Sequence, residues 1–569
     1  MSSQKGAAYR GRRVFLLAVM LAAVLLLVGR AVDLQLWHQD FLQEQGDARS
    51  LRVVAIPAHR GMITDRNGEP LAISTPVDSI WADPQQLLDA SSQWPHLAKR
   101  LDMSVREIRE RLRDNSSREF VYLKRQMPPA EARQVMDLDV PGVFSQREYR
   151  RYYPAGEVAG HLLGFTNVDD VGQEGVELAF NKSLRGTPGS MRVIKDRLGH
   201  IVEIVERLSE AVPGQDLRLS IDRRIQYLAY RELKAAVQEN HAASGSAVIL
   251  DVRSGEVLAM VNQPTYNPNN RDSLQGRRYR NRAVTDVFEP GSTVKPFTIA
   301  MALESGDYRP GTLIDTAPGT LRIGPNVIHD THDYGLIDVS TVIAKSSNVG
   351  ASKIALSLPP QSLWNMFRRV GFGVSSGIDF PGEAAGSLPD WHRWYPIDHA
   401  TFSFGYGLSA TALQLAQAYG VLADGGLLKP VSLVPVDKAP PGERVMSART
   451  AGQVLAMLEG VVSDEGTGDL ARVPDYHVAG KTGTVRESVS GGYAEDQYRA
   501  LFAGIIPATR PRLVMVVVIN DPRGNQYYGG AVAAPVFGRV MSGVMRLLDV
   551  APDDLPPLKG EKLAKAEGL

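Results

Sequence analysis

Ser292 and Lys295 stand three residues apart in Glu289-Pro290-Gly291-Ser292-Thr293-Val294-Lys295-Pro296-Phe297. A serine hydroxyl is a weak nucleophile until an adjacent base takes its proton. Lysine serves as that base only where burial or a neighbouring cation lowers its pKa. Two further short runs follow in order, Ser346-Ser347-Asn348 and Lys481-Thr482-Gly483. The Ser346 hydroxyl suits a proton relay to a leaving group. The Asn348 amide suits holding both Lys295 and a substrate amide carbonyl. Lys481 supplies the second cation, and with the hydroxyls of Thr482 and Thr484 it suits a carboxylate. The backbone N–H groups of Ser292 and Thr484 form a natural oxyanion hole. The chemistry these residues spell is acyl transfer through a serine ester.

Each run alone carries little weight. At ordinary Ser and Lys usage about two Ser-x-x-Lys matches are expected in a chain of this length by chance, and a second does occur, Ser2 to Lys5. Ser346 and Asn348 alone would read as a helix cap. Lys481 alone would read as a protective charge on a strand edge. It is the ordered triplet that is informative.

The surrounding sequence supplies elements to position them. Pro290-Gly291 reads as a turn, and the apolar run after it as a buried helix starting near Ser292, with Pro296 in its first turn. Asp222 caps a predicted helix with Ile225, Ala229, Leu233 and Val237 on one face. Ala247–Leu250 and Val257–Met260 flank Arg253-Ser254-Gly255 as a hairpin. Leu501–Ile506 and Val514–Ile519 read as two more strands, and the Lys481 segment as another, with Gly483 allowing close backbone approach. An α+β fold, an antiparallel sheet flanked by helices, fits this order.

With these residues in place, the chain resembles the class B penicillin-binding proteins, in particular the septal, division-specific transpeptidases of Gram-negative bacteria. The resemblance runs from near Val14 to near Val550. It includes Arg60-Gly61-Met62-Ile63-Thr64-Asp65-Arg66-Asn67-Gly68, Tyr153-Pro154-Ala155-Gly156, Glu174-Gly175-Val176-Glu177, Thr265-Tyr266-Asn267-Pro268-Asn269-Asn270 and Phe404-Gly405-Tyr406-Gly407-Leu408-Ser409. It implies a penicillin-binding transpeptidase domain on an elongated N-terminal pedestal of the dimerisation type. It further implies D,D-transpeptidation of peptidoglycan stem peptides ending in D-Ala-D-Ala, inhibition by β-lactam antibiotics, and no cofactor or metal. Tyr406, Arg486, Tyr498, Tyr527 and Tyr528 match substrate- or drug-contacting positions of the family. The partners implied are the membrane, a septal glycan polymerase of the FtsW type and other divisome proteins.

The chain has 569 residues, more than one domain's worth, with zero net charge and no cysteine. No large basic surface for nucleic acid is implied, and no disulfide or thiolate metal site is available. Val14 to Gly29 is uninterrupted apolar sequence, preceded by Lys5, Arg10, Arg12 and Arg13. It reads as an uncleaved single-pass anchor in a bacterial inner membrane, with a cytoplasmic N-terminus and a periplasmic catalytic domain. The expected organisation is a cytoplasmic tail over 1–13, an anchor over 14–36, a pedestal over 45–215, a transpeptidase domain over 216–551 and a flexible tail over 552–569.

Other readings compete. Gly405-x-Gly407-x-x-Ala410 mimics a dinucleotide fingerprint but lacks a clear preceding strand, and Asp424-Gly425-Gly426 reads as a turn. His329-Asp330-Thr331-His332-Asp333 is rich in metal-binding residue types without standard zinc spacing, and is expected to be a polar loop near the site. A β-lactamase would need a base that activates water, and no Glu-x-x-Leu-Asn segment occurs. A β-lactam sensor would need several spans and a cytoplasmic output domain. The elongation-specific transpeptidase is the nearest alternative within the family; Asn267-Pro268-Asn269-Asn270 favours division.

Overall fold

A computed structural model describes residues 4–37, 51–195, 201–270, 276–489 and 492–555. The expected start of the pedestal at 45 and the tail beyond 555 lie outside the described residues.

The anchor sequence forms helix α1, Gln4–Val32, which continues as a short π-helical turn through Trp37. The segment Gly11–Gln35 has mean hydropathy 2.6 and none of it is buried in protein. It is long and apolar enough to cross a bilayer. The helix starts earlier than the expected anchor and includes the basic residues before Val14.

The chain divides into two compact units. The first comprises Met1–His59, Thr75–Arg150 and Gly186–Gly214. Its core is built by amphipathic helices such as Trp94–Leu101, which buries Trp94, Leu97, Ala98 and Leu101 at helical spacing. The helix Val105–Arg113 opens with a reciprocal Ser104–Glu107 capping box. The same unit carries a three-stranded antiparallel sheet of Leu51–Ile56, Gly189–Lys195 and Ile201–Ser209.

The second unit comprises Arg60–Ser74, Arg151–Arg185 and Gln215–Leu569. Two stretches inside the span 45–215 therefore pack in the same unit as Ser292, Lys295, Ser346 and Lys481. A buried ion cluster ties these stretches to each other. Glu177 accepts from Arg60 Nε at 2.8 Å and from Arg151 Nε at 2.6 Å, and all three side chains are 1% exposed or less.

The heart of this unit is a five-stranded antiparallel sheet. Helix α2 (Arg223–Glu239) precedes strands β1 (Ser244–Asp251) and β2 (Val257–Gln263). Helices α3 (Lys295–Ser305), α4 (Asn348–Leu356) and α5 (Ala412–Ala423) follow. Strands β3 (Ala479–Val489), β4 (Gly492–Ile506) and β5 (Leu513–Asn520) and helix α6 (Ala534–Leu547) complete it. The sheet order is β2-β1-β5-β4-β3, with β3 at the edge.

Its strands read as continuous apolar runs because helices cover both faces. Ala247, Ile249, Met515, Val517 and Phe502 share one core with residues of α2 and α6. Val248, Leu250, Val516, Val518, Leu501 and Ala503 share the other with residues of α3 and α5. Strand alternation produces this division, and each buried Val or Ile is worth about 1.5–3 kcal/mol relative to exposure. Ala479 and Val485 of β3 belong to the second core. Lys481 and Gly483, at the same parity, therefore face the α3 side.

Candidate active site

Ser292 is the second residue of a 3-10 turn, Gly291–Val294, that runs directly into α3. Pro296 lies in the first turn of that α-helix. Short contacts hold the turn. Thr293 Oγ1 donates to Pro290 O at 2.6 Å, and the buried Tyr419 hydroxyl of α5 donates to Thr293 O at 2.8 Å. Gly291 N donates to Gly405 O at 3.1 Å. Gly405 has φ +89°, and a Cβ there would lie 2.1 Å from Gly291 O. That approach makes Gly405 a packing requirement of the turn that carries Ser292.

One turn on, Lys295 is fully buried. Its Nζ donates to the backbone oxygen of Ser346, to Ser346 Oγ at 3.2 Å and to Asn348 Oδ1 at 2.8 Å. Lys481 is also fully buried, and its Nζ donates to the same Ser346 Oγ at 2.9 Å. Ser346 holds this position with φ +60°, in the left-handed region. For a serine that conformation costs on the order of 1–3 kcal/mol. Burial drives the Lys295 pKa well below the ordinary lysine value; Lys481 lowers it further and Asp330 opposes. Burial thus leads, and the neighbouring cation read from sequence comes second. Burial also pulls Lys481 down to about 7, so without a bound carboxylate it is only partly charged near neutrality.

Asn348 opens α4, and its side chain bridges two groups. Its Oδ1 receives Lys295, and its Nδ2 donates to His329 O at 3.0 Å. The cap of α4 is Ser347, whose Oγ accepts from Gly350 N at 2.8 Å. The outer residues of the Ser346-Ser347-Asn348 run are therefore free of capping duty.

Gly483 brings β3 against the turn that carries Ser292, since a Cβ there would lie 3.0 Å from Thr293 Cγ2. Thr482 Oγ1 lies 2.7 Å from Thr467 Oγ1, and Thr484 Oγ1 accepts from Gly529 N at 2.9 Å. A hydroxyl that accepts one bond keeps its proton to donate.

Around this centre the aromatic residues form two groups. Tyr498 stacks on Tyr527 at 4.2 Å between ring centroids, and Tyr527 on Tyr528 at 4.5 Å. Tyr406 meets Tyr493 edge-on at 5.4 Å. Arg486 is exposed and lines a cleft of about 310 Å³ with Glu289, Gly407, Glu487 and Arg499. Glu289 accepts from Gly407 N at 2.8 Å and from the Tyr493 hydroxyl at 3.1 Å, and burial raises its pKa.

The structure thus joins Lys295, Ser346, Asn348 and Lys481 in one hydrogen-bonded cluster and sets Gly483 against the turn that carries Ser292. Residues that sequence reasoning passed over are Glu289, Tyr493, Ser347 and Asp330. Glu289 and Ser347 lie inside the quoted runs. Asp330 lies in the loop weighed as a metal cluster, where its carboxylate instead receives the Ser347 hydroxyl and the N–H groups of Asn348 and Val349.

Two family models match the chain, a penicillin binding protein transpeptidase domain over residues 245–542 and a penicillin-binding protein dimerisation domain over 55–219. The chain is 45% identical over 549 residues to the peptidoglycan D,D-transpeptidase FtsI of Escherichia coli (strain K12), covering 96% of this chain and 93% of that protein. It is 42% identical over 555 residues to the probable peptidoglycan D,D-transpeptidase PbpC of Pseudomonas aeruginosa, covering 98% of each. The crystal structure of a peptidoglycan synthetase from Bifidobacterium adolescentis matches with a TM-score of 0.71 and 26% identity, over 89% of this chain and 98% of that one.

Proposed function

The chain belongs to the class B penicillin-binding proteins, and from that premise we propose that Ser292 is the nucleophile through which it cross-links peptidoglycan. The protein is a serine-type D,D-transpeptidase of the septal kind, acting on stem peptides and inhibited by β-lactams.

Neutral Lys295 takes the Ser292 proton as Oγ attacks the penultimate D-alanine carbonyl. The N–H groups of Ser292 and Thr484 stabilise the oxyanion. The proton passes through Ser346 to the leaving nitrogen, and terminal D-alanine departs. Lys481, Thr482 and Thr484 hold its carboxylate, whose arrival favours the charged form of Lys481. Asn348 turns its remaining N–H to the substrate amide. An amine from a neighbouring strand then attacks the ester. Gly483 allows the substrate backbone to lie along β3, and Tyr406, Arg486, Tyr498, Tyr527 and Tyr528 border the bound peptide. The observation that carries this reading is the hydroxyl of Ser346 set within 3.2 Å of both lysine amines.

In the same reading α1 anchors the protein in the inner membrane with its N-terminus cytoplasmic, beside a glycan polymerase of the FtsW type and other divisome proteins. Residues 45–215 serve as the pedestal of the 216–551 transpeptidase domain.

Intact-mass spectrometry after mixing with a β-lactam tests the mechanism. One stable adduct on the Ser292 peptide, absent from Ser292→Ala, is expected. Rapid return to the unmodified mass with bulk drug turnover would instead identify a hydrolase.

A further inference from the structure

The loop 329–333 follows a small hairpin, Thr320–Ile323 paired with Asn326–His329. Asp330 N donates to Gly319 O at 2.9 Å, so the residue sits on a hydrogen-bonded base. Its carboxylate reaches the start of α4. Oδ2 takes the Ser347 hydroxyl, and Oδ1 takes the backbone N–H of Asn348 and, at 3.0 Å, that of Val349. First-turn amides have no acceptor within their own helix, and they lie at the positive end of its dipole. A carboxylate is the group best suited to that place. The next residue back, His329, accepts from Asn348 Nδ2 at 3.0 Å. One short segment therefore grips Asn348 by its backbone and by its side chain.

We propose that Asp330 is a positioning residue for acyl transfer, fixing the Ser346-Ser347-Asn348 turn and thereby the contacts of that turn with Lys295 and Lys481. The inference rests on the Ser292 acyl-enzyme reading above. Three observations carry it. Asn348 Oδ1 is one of the acceptors of Lys295 Nζ, so a shift of Asn348 moves the base. Ser346 is held in an unfavourable left-handed backbone immediately before the gripped residues, and such a conformation persists only where its surroundings over-determine it. The third is charge. The charged groups that bear on Lys295 are Lys481 from β3 and Asp330 from the loop, and they act in opposite senses. Asp330 thus tempers the loss of basicity that burial imposes, while touching neither the nucleophile nor the base.

The test uses the full-length protein in detergent, with a fluorescent penicillin followed by stopped flow across pH. Binding and the limiting acylation rate are separated, and thermal stability is recorded. Wild type, Ser292→Ala, Asp330→Ala and Asp330→Asn are compared. Asp330→Ala releases the turn, and its limiting rate is expected to fall about 100-fold, the scale of a 1 Å misplacement, with initial binding little changed. Asp330→Asn keeps the shape and removes the charge. Lys295 then loses the partner that favours its protonated form, so the acid limb of the rate profile moves to lower pH. A limb that stays in place, or a rate loss that matches the unfolded fraction, overturns the proposal. If wild type is acylated on Ser292 and both variants follow its rate and profile, only the role of Asp330 fails. If wild type carries no adduct on Ser292, the parent reading fails and this one with it.

Discussion

Lys295 and Lys481 reach the same hydroxyl from two different elements, one from the helix that follows Ser292 and one from an edge strand of the sheet. Each is fully buried, and their amines lie 3.2 and 2.9 Å from Ser346 Oγ. Among the described residues neither has an acidic partner in direct contact to repay its desolvation. Two lysines in this setting favour sharing less than two charges, the condition that a lysine base requires.

Lys295→Arg keeps a cation but cannot deprotonate. Acylation by a fluorescent penicillin is expected to fall by about 10²–10⁴-fold, the usual contribution of a general base. Near wild-type acylation in that variant would falsify Lys295 as the base.

Lys481 carries a pH signature of its own. Its folded pKa of about 7 lies below the ordinary lysine value, so between about pH 7 and 10 the unfolded chain binds more protons than the folded one. The contribution of this group to stability is therefore lowest below pH 7 and rises with pH across that window. Lys481→Met is expected to flatten that rise in Tm measured from pH 6.5 to 9.5. An unchanged slope would mean that Lys481 does not titrate abnormally.

Gly405→Ala tests the turn that carries Ser292. A methyl group would press on the backbone oxygen of Gly291 at a positive-φ position. Both the limiting acylation rate and the Tm are expected to drop. Wild-type values of both would show that the turn tolerates the displacement.

Glu177→Ala tests stability apart from chemistry. It leaves Arg60 and Arg151 buried without their shared carboxylate, a change that costs about 3–5 kcal/mol. Denaturant unfolding measures it, and a loss below about 1 kcal/mol would indicate that water or rearrangement replaces the pair.

Protease added to spheroplasts tests the orientation expected from Lys5, Arg10, Arg12 and Arg13. The large domain is expected to be digested from outside. Protection until lysis would reverse the topology.

The helix Arg223–Glu239 and the strands around Ala247, Val257, Leu501 and Val514 were legible because apolar runs and caps are local signals. Asp330 and Glu289 were not. Each makes its contacts with a partner distant in sequence, Asn348 for one and Gly407 for the other, and spacing along the chain does not encode such pairs. The buried pairing of Arg60 and Arg151 with Glu177 was hidden for the same reason, because it joins stretches far apart in the chain.

By itself the sequence determined the chemistry, since a serine, two lysines and an amide in that order admit few reactions. It also determined the apolar anchor and the strands of an antiparallel sheet, which depend on residue type and period. Only the tertiary structure decided the downward pKa shift of the two lysines, because desolvation depends on what packs around an amine and not on its neighbours in the chain. It also decided that Ser346 adopts a left-handed backbone, and that Asp330 serves the start of α4, because both follow from contacts that exist only once distant segments have met.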